Sequence, residues 1–297
     1  MPVPAQFSER EYELAMNIEL LAGNGKYSVP SQVAEKWLGY DIALVPGLTS
    51  VWGLLGLSAP PIGVPPGQGI LGHPSAPAFA ASLFLQYKRP EELRGGSAKE
   101  AAPRREAGVA PPLPYLRYGL GRFQLDRLLN LQAEVSGLAE VCYAAASFVS
   151  GDHLKEMQAL RAVVSSSDFL SLGKVDSLLG PGGPGADHVW TYDAHEPAGG
   201  VLCSEPRKVR SYRGWQLLEG LAEALGEEPV TLENYVYELD QAVDAWSVRE
   251  LGSISKSPSD WPWLMQLPGV ARAALNVERT ARRHGLGWVL AYREARI

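Results

Sequence analysis

The sequence has few cysteines and no long apolar run, and both shortages narrow the class of protein. Its 297 residues include only Cys142 and Cys203, each inside a strand-like apolar run. Two scattered cysteines do not make a structural zinc site, so we expect free, buried thiols in a cytoplasmic protein. No stretch reaches the roughly 20 apolar residues of a membrane helix. The N-terminus also lacks the basic-then-apolar order of a signal peptide, and we therefore predict no membrane association.

Several catalytic signatures are missing as well. The chain has no Gly-x-x-x-x-Gly-Lys-(Ser/Thr) loop, no Gly-x-Ser-x-Gly, no His-Glu-x-x-His, and no Gly-x-Gly-x-x-Gly that opens a helix after a strand. These absences disfavour a nucleotide-driven motor, a dehydrogenase and a serine hydrolase. His188 and His195, even taken with Asp187 and Asp193, show no recognised metal-ligand spacing.

The charge balance is acidic, with 27 basic against 33 acidic residues and a formal net charge of -6. This balance disfavours an extended nucleic-acid-binding surface, because phosphate contacts dominate such affinity. The stretch from Lys88 to Arg127 differs, with nine basic and five acidic residues. It is either a solvated loop, which we favour slightly, or a basic lip beside a site.

The most informative stretch is 82–88, Ser-Leu-Phe-Leu-Gln-Tyr-Lys, which lies between two prolines and is typical of a buried strand. Gln86 and Lys88 are two residues apart, so they share one face of that strand. A lysine on an apolar strand needs a partner. Asp41, which begins the apolar run 41–45, is the one we expect. The pair is either a structural ion pair at a sheet end or part of a metal site for phosphodiester hydrolysis.

Two helical segments precede these strands. Ser8 and Glu11 form a capping box that predicts a helix from about Ser8 to Ala22, and this helix carries Glu19. Residues 30–38 predict one or two helical turns, on which Gln32 and Glu35 are neighbours.

Asp41 followed by Gln86-Tyr87-Lys88 resembles the PD-(D/E)XK restriction-endonuclease-like superfamily, in the Gln-x-Lys variant of Mrr-type enzymes. The segment 30–41 is also similar to a group of uncharacterised prokaryotic proteins. The resemblance covers about the first half of the chain. It implies that Asp41, Glu35 and Gln86 bind one or two Mg²⁺ (or Mn²⁺) ions, with Glu19 as a less certain ligand. Lys88 would then be catalytic beside them, with Gln32 and Arg89 as substrate contacts.

The remaining pattern predicts the elements between and after these motifs. We expect a Gly/Pro-rich insertion at 46–77, an exposed loop at 91–114, a helix at 123–135, a strand at 140–146, a helix at 152–164, a hairpin of 188–193 with 199–203, helices around 215–225, 232–246 and 270–281, and a last strand at 287–292. The order of helix, Asp strand, Gln-x-Lys strand, helix and strand matches the endonuclease-like core.

We therefore predict an α/β protein with a restriction-endonuclease-like mixed sheet flanked by helices and a mostly helical C-terminal part. Residues 1–165 would form the core, and residues 166–297 would form a strand hairpin and helices, with the option that both pack as one unit. The predicted activity is metal-dependent hydrolysis of DNA, in restriction or phage defence. The alternatives are a non-catalytic interaction module with this fold, and a structural subunit that self-associates or binds a partner protein through 46–77.

Overall fold

The computed structural model describes residues 2–22, 77–94, 99–109, 114–180, 184–194, 199–213, 216, 230–251 and 269–294. Predictions for Gln32, Glu35, Asp41, the insertion at 46–77 apart from its last residue, and the helix at 215–225 apart from Gln216 lie outside these residues.

Helices and strands are interspersed along the described chain and the helices pack on mixed and antiparallel sheets, which places the protein in the α/β class. The helices are α1 (Glu9–Ala22), α2 (Ala101–Glu106), α3 (Arg122–Glu134), α4 (Gly151–Leu160), α5 (Leu172–Leu179), α6 (Leu232–Leu251) and α7 (Gly269–Arg283). The strands are β1 (Val3–Pro4), β2 (Pro77–Lys88), β3 (Glu91–Leu93), β4 (Tyr115–Leu120), β5 (Ala139–Ala146), β6 (Ser167–Ser171), β7 (His188–Asp193), β8 (Gly200–Leu202), β9 (Arg207–Val209), β10 (Tyr212–Arg213), β11 (Val230–Thr231) and β12 (Gly287–Glu294). No described helix has the length and apolar character needed to cross a membrane.

Strand β2 is the central strand of a mixed sheet, which we call the main sheet. It pairs in parallel with β5 and in antiparallel fashion with β12, and β11 pairs with its first residues. Strands β6 and β10 extend the sheet beyond β5, again antiparallel. The other strands form a second, antiparallel sheet in the order β1-β3-β4-β7-β8-β9.

The two faces of the main sheet bury different sets of side chains. Leu83, Leu85 and Tyr87 pack with Tyr12 and Met16 of α1 in one core, and we call this side the α1 face. The alternate residues, such as Phe84, belong to a larger core with residues of α3, α6, α7 and the second sheet, and we call this side the α3 face. This division follows from the two-residue period of a strand.

Local signals placed many elements correctly. The capping box is present, since Ser8 N–H donates to Glu11 Oε2 (2.7 Å) and Glu11 N–H donates to Ser8 Oγ (3.1 Å). A side-chain cap also starts α6, because Thr231 Oγ1 accepts the N–H of Asn234 at 3.2 Å. The predicted helices α3, α6 and α7, the strands β2, β5 and β12, and the β7–β8 hairpin are all present.

Three local predictions were wrong. The stretch 91–114 is not only a loop, because it contains β3 and α2, and Arg104 of α2 is buried against the ring of Tyr115 at 4.7 Å. The helix at 152–164 ends at Leu160, because Arg161 takes the left-handed conformation (φ 53°, ψ 48°). The third error is an omission, because no element was predicted at 167–179, where β6 and α5 lie.

The predicted division at residue 165 does not separate the sheets. Strands β6, β10, β11 and β12 follow this residue and lie in the main sheet, while β7, β8 and β9 complete the second sheet. The described parts on either side of residue 165 therefore share both sheets.

Asp168 of β6 is a buried acid between the two sheets. Its Oδ2 accepts a hydrogen bond from Trp190 Nε1 at 2.9 Å. Burial raises the pKa of Asp168 to about 6, although hydrogen bonds from Ser211 and Trp190 oppose this shift. Ionising Asp168 therefore costs more in the folded protein than in the unfolded chain.

We expect Asp168→Asn to remove a pH-dependent loss of stability. Because the folded pKa is the higher one, the contribution of Asp168 is fully present below about pH 4 and is lost as pH rises through about 6. The free energy of unfolding of the native protein, relative to the variant, should fall by up to about 3 kcal/mol between pH 3 and pH 8. Urea denaturation at several pH values measures this difference. A difference that does not change with pH would contradict the prediction.

Candidate functional site

Gln86 and Lys88 lie at the C-terminal end of β2 and project from the α3 face. The neighbouring residues show the alternation, since Leu85 and Tyr87 point to the α1 face and the Tyr87 hydroxyl donates to Asn17 Oδ1 of α1 at 2.7 Å. Strand β5 runs parallel beside them, pairing Gln86 with Tyr143 and Lys88 with Ala145. The two motif residues therefore lie where the carboxyl ends of two parallel strands meet.

The ammonium group of Lys88 is half-buried and held by a neutral partner. Its Nζ donates to Gln124 Oε1 at 2.6 Å and lies 5.2 Å from the centre of the Tyr143 ring. Burial lowers the pKa of Lys88, and the carboxylate of Glu9 partly offsets that effect. Lys88 is thus a cation in a partly dehydrated position, where its charge acts more strongly than it would in water.

Gln86 is only 8% exposed, and one end of its amide is unused. Its Nε2 donates to the Tyr87 carbonyl at 3.3 Å, while Oε1 has no hydrogen-bond partner among the described residues. The hydroxyls of Tyr143 and Tyr118 are also buried and have no hydrogen-bond partner among the described residues. The centres of these two rings lie 6.1 Å apart. We call Gln86, Lys88, Gln124, Tyr118 and Tyr143 the Lys88 cluster. Buried polar atoms without partners are costly and rare, so their concentration marks a place where water or a ligand can supply the bonds.

Helix α3 brings Gln124 to Lys88. Its N-cap is Gly121, which has no side chain, and Asp187 Oδ1 accepts the N–H of Arg122 at 2.7 Å instead. Leu125, Leu128 and Leu131 bury one side of the helix. The helical periodicity of 123–135 therefore predicts the helix, but not that its first turn lies over the end of β2.

A row of paired residues across the main sheet links Lys88 to Asp168. Lys88 pairs with Ala145, and Ala145 pairs with Asp168. Two strand spacings separate the ends of the row by roughly 10 Å, and only an alanine methyl group lies between them on this face. Sequence reasoning missed Asp168 because it predicted no element at 167–171. The run Ser167-Asp168-Phe169-Leu170-Ser171 has no alternation of polar and apolar residues, so no local signal marked this strand.

The structure does not bring Glu19 to this cluster. Glu19 is buried on α1, and its carboxylate accepts the N–H of Val163 near the α1 face. Burial raises the pKa of Glu19, and hydrogen bonds from the backbone at Val164 and Val163 oppose this. Since α1 covers the face opposite to Gln86 and Lys88, the expectation that Glu19 joins their metal site is corrected.

The other predicted residues divide into two groups. The guanidinium of Arg89 donates to the carbonyl of Ala5, and its backbone N–H donates to Glu9 Oε1 at 3.2 Å, so Arg89 fastens the N-terminal segment beside the cluster. Asp41, Glu35 and Gln32 lie outside the described residues and remain predictions.

The basic stretch from Lys88 to Arg127 is only partly available to a ligand. Arg104 is 1% exposed, and its Nη1 donates to Thr191 Oγ1 at 3.0 Å. Arg117 forms ion pairs with Glu91 and Glu100. These two arginines therefore serve the fold, while Arg122 is exposed beside the Lys88 cluster.

Within the part of the chain that the structure describes, no group of three or more His, Cys, Asp or Glu side chains could hold a metal ion. Asp187 caps α3, and His188 Nδ1 contacts Ser204 Oγ, so both have structural partners. Cys142 is buried and Cys203 is partly buried, and both are free thiols as predicted. The atom of the Lys88 cluster that fits a hard cation is Gln86 Oε1, a neutral oxygen without a partner among the described residues.

Comparison of the chain with protein-family models, with curated proteins and with solved structures finds no match.

Two tyrosine variants test whether the cluster contains an unsatisfied hydroxyl. Tyr143→Phe removes a buried hydroxyl that has no described partner, so the free energy of unfolding should stay the same or rise. Tyr192→Phe removes a bond of 2.6 Å to the Ala146 carbonyl and should cost about 1–2 kcal/mol. Urea denaturation compares the two variants. An equal loss in both would mean that the Tyr143 hydroxyl is hydrogen-bonded in solution.

Proposed function

We propose that the protein is a divalent-metal-dependent nuclease that hydrolyses DNA phosphodiester bonds at the Lys88 cluster. The observation that supports this most is the unused, buried Oε1 of Gln86 beside the half-buried Lys88, on the same face at the end of β2. In the Gln-x-Lys motif the glutamine supplies an oxygen ligand and the lysine follows two positions later, and Gln86 and Lys88 fit this order. The parallel pairing of β2 with β5 through α3 agrees with the expected core order.

Each residue of the proposed site has a separate role. Gln86 offers its amide oxygen to a Mg²⁺ or Mn²⁺ ion, and Asp41 and Glu35 supply carboxylate ligands. A bound ion supplies positive charge that compensates the negative charge developing on the phosphate. Lys88 orients the attacking water and stabilises the same charge, and Gln124 holds its ammonium group in place.

The position of Lys88 suits this role. Its direct hydrogen-bond partner is a neutral amide, so the charge of the ammonium group is not cancelled by a paired carboxylate within the described cluster. Partial burial lowers its pKa and excludes some of the water that would otherwise screen the charge. A preorganised cation with this environment stabilises an anionic transition state more than a surface lysine does.

A second candidate function is a non-catalytic interaction module that keeps the fold. The acidic balance, with a net charge of -6, and the neutral Gln86 in place of an acid favour it, because the first weakens the binding of DNA and the second weakens the binding of a metal ion. In that case Gln86 and Lys88 would be remnants that serve packing. Restriction or phage defence is the biological setting that we propose for the nuclease. A partner protein or a second copy of the chain, bound through 46–77, is the partner that we propose for the non-catalytic alternative.

Cleavage of mixed DNA substrates in Mg²⁺ or Mn²⁺ tests the nuclease. Lys88→Ala and Asp41→Ala should each lower the rate by at least about 100-fold, since the first removes a cation beside the reacting phosphate and the second removes a carboxylate ligand of the metal ion. Gln86→Leu should abolish metal-dependent cutting while the protein stays folded, because leucine lacks the amide oxygen. Gln86→Glu should keep activity and tighten metal binding, since it adds a carboxylate ligand.

Lys155→Ala is the matched control, because Lys155 is an exposed lysine on α4 whose carboxylate partner is Asp152. Its cleavage rate should equal that of the native protein. If the folded native protein cuts no substrate in either metal, the interaction module becomes the better description.

A further inference from the structure

Arg122 and Phe123, the first two residues of α3, are exposed beside the Lys88 cluster. The Phe123 side chain is 85% exposed, more than any other large apolar side chain among the described residues. The guanidinium carbon of Arg122 lies 5.8 Å from the centre of the Phe123 ring. A cation and an aromatic ring are thus presented together to solvent.

The pair lies close to the residues of the proposed reaction. Gln124, which follows Phe123 directly, accepts the hydrogen bond from Lys88 Nζ. The bond from the Arg122 N–H to Asp187 fixes the first turn of α3. Buried leucines farther along α3 anchor the helix on the core. Phe123 is therefore an exposed ring on a rigid support, and the next residue along the helix, Gln124, binds Lys88 directly.

The described residues do not form an apolar patch around Phe123. The other exposed large apolar side chains of the described residues are Ile18, Leu160 and Val248, which lie on α1, α4 and α6. A docking surface for a folded protein needs a contiguous apolar area of some hundreds of Å². A single ring with an arginine beside it instead fits one flat, π-faced group next to a phosphate.

We infer that Arg122 and Phe123 form a base-stacking element that holds an unpaired nucleotide next to Lys88. Phe123 stacks on the base, and Arg122 contacts an adjacent phosphate. This inference depends on the proposed nuclease function and adds a substrate class, namely DNA with unpaired bases near the cleaved bond. Asp187 and the exposed Asp126 partly offset the charge of Arg122, so stacking supplies most of the affinity at this position.

The test measures binding without cleavage, in EDTA, by fluorescence anisotropy of a labelled single-stranded oligonucleotide and of a duplex of the same sequence. Phe123→Ala should weaken single-strand binding by roughly 10-fold or more, since stacking on one base contributes that much. It should leave the salt dependence unchanged. Arg122→Ala should reduce the slope of log affinity against log salt by about 1, as expected for one lost phosphate contact.

Leu160→Ala is the matched control, because Leu160 is 64% exposed on α4, and its binding should equal that of the native protein. Phe123→Trp should keep the affinity and add a fluorescence signal that is quenched by the single strand, measured as the difference from the native protein with its eight tryptophans. Thermal denaturation confirms that each variant is folded.

The outcomes separate this inference from the proposed function. If the native protein binds DNA and cleaves it but Phe123→Ala binds the single strand as tightly as Leu160→Ala does, the stacking element is refuted and the nuclease stands. If the native protein binds neither the single strand nor the duplex, the nuclease proposal fails together with the inference. Selective loss in Phe123→Ala, with quenching in Phe123→Trp, supports the stacking element, while the cleavage assay in Mg²⁺ or Mn²⁺ decides on the nuclease.

Discussion

The pairing of β2 along both of its edges is the constraint on which the two cores and the candidate site depend. Strand β5 holds residues 82–88 in parallel register, and β12 holds residues 78–85 in antiparallel register. With both neighbours in place, alternate residues must enter opposite cores. A shift of one residue would place Gln86 in the α1 core and Leu85 on the α3 face, which burial on both faces makes very costly. The orientation of Gln86 and Lys88 is therefore fixed by the packing of their apolar neighbours.

Buried polar atoms without a described partner also occur at structural positions, such as Arg104 Nε and Glu19 Oε1, so the Lys88 cluster is distinguished by combining such atoms with a half-buried cation. Asp168 and Tyr192 are buried between the sheets, and each has a good hydrogen bond, to Trp190 and to the Ala146 carbonyl respectively. In the Lys88 cluster, by comparison, Gln86 Oε1 and two tyrosine hydroxyls have none among the described residues. A folded protein tolerates such a cost where the surrounding packing is strong, and functional sites are where local rules are most often broken. This combination, where two parallel strands end, is the physical basis for placing the proposed function at the end of β2.

Much of the fold follows from signals that act over a few residues. The Ser8–Glu11 capping box, the Thr231 cap and the helical periodicity of 123–135 involve neighbours three or four positions apart, and all three correspond to real elements. The site was harder to predict. The sequence indicates that Gln86 and Lys88 share a face, but Gln124 and Tyr143, which surround Lys88, come from other elements. Arg104 shows the reverse problem, because a charged stretch that is typical of a loop contains an arginine buried against Tyr115.

The sequence by itself determined the α/β class, most helix and strand positions, and the placement of Gln86 and Lys88 on one side of a buried strand, because these depend on local periodicity and capping. Only the tertiary structure decided that β12 would pair with β2 across about two hundred residues, that Glu19 would lie behind the sheet, and that Gln124 and Asp168 would lie on the same face as Lys88. These outcomes depend on which apolar faces bury one another. That choice is made by the whole core, so no short stretch of the chain encodes it.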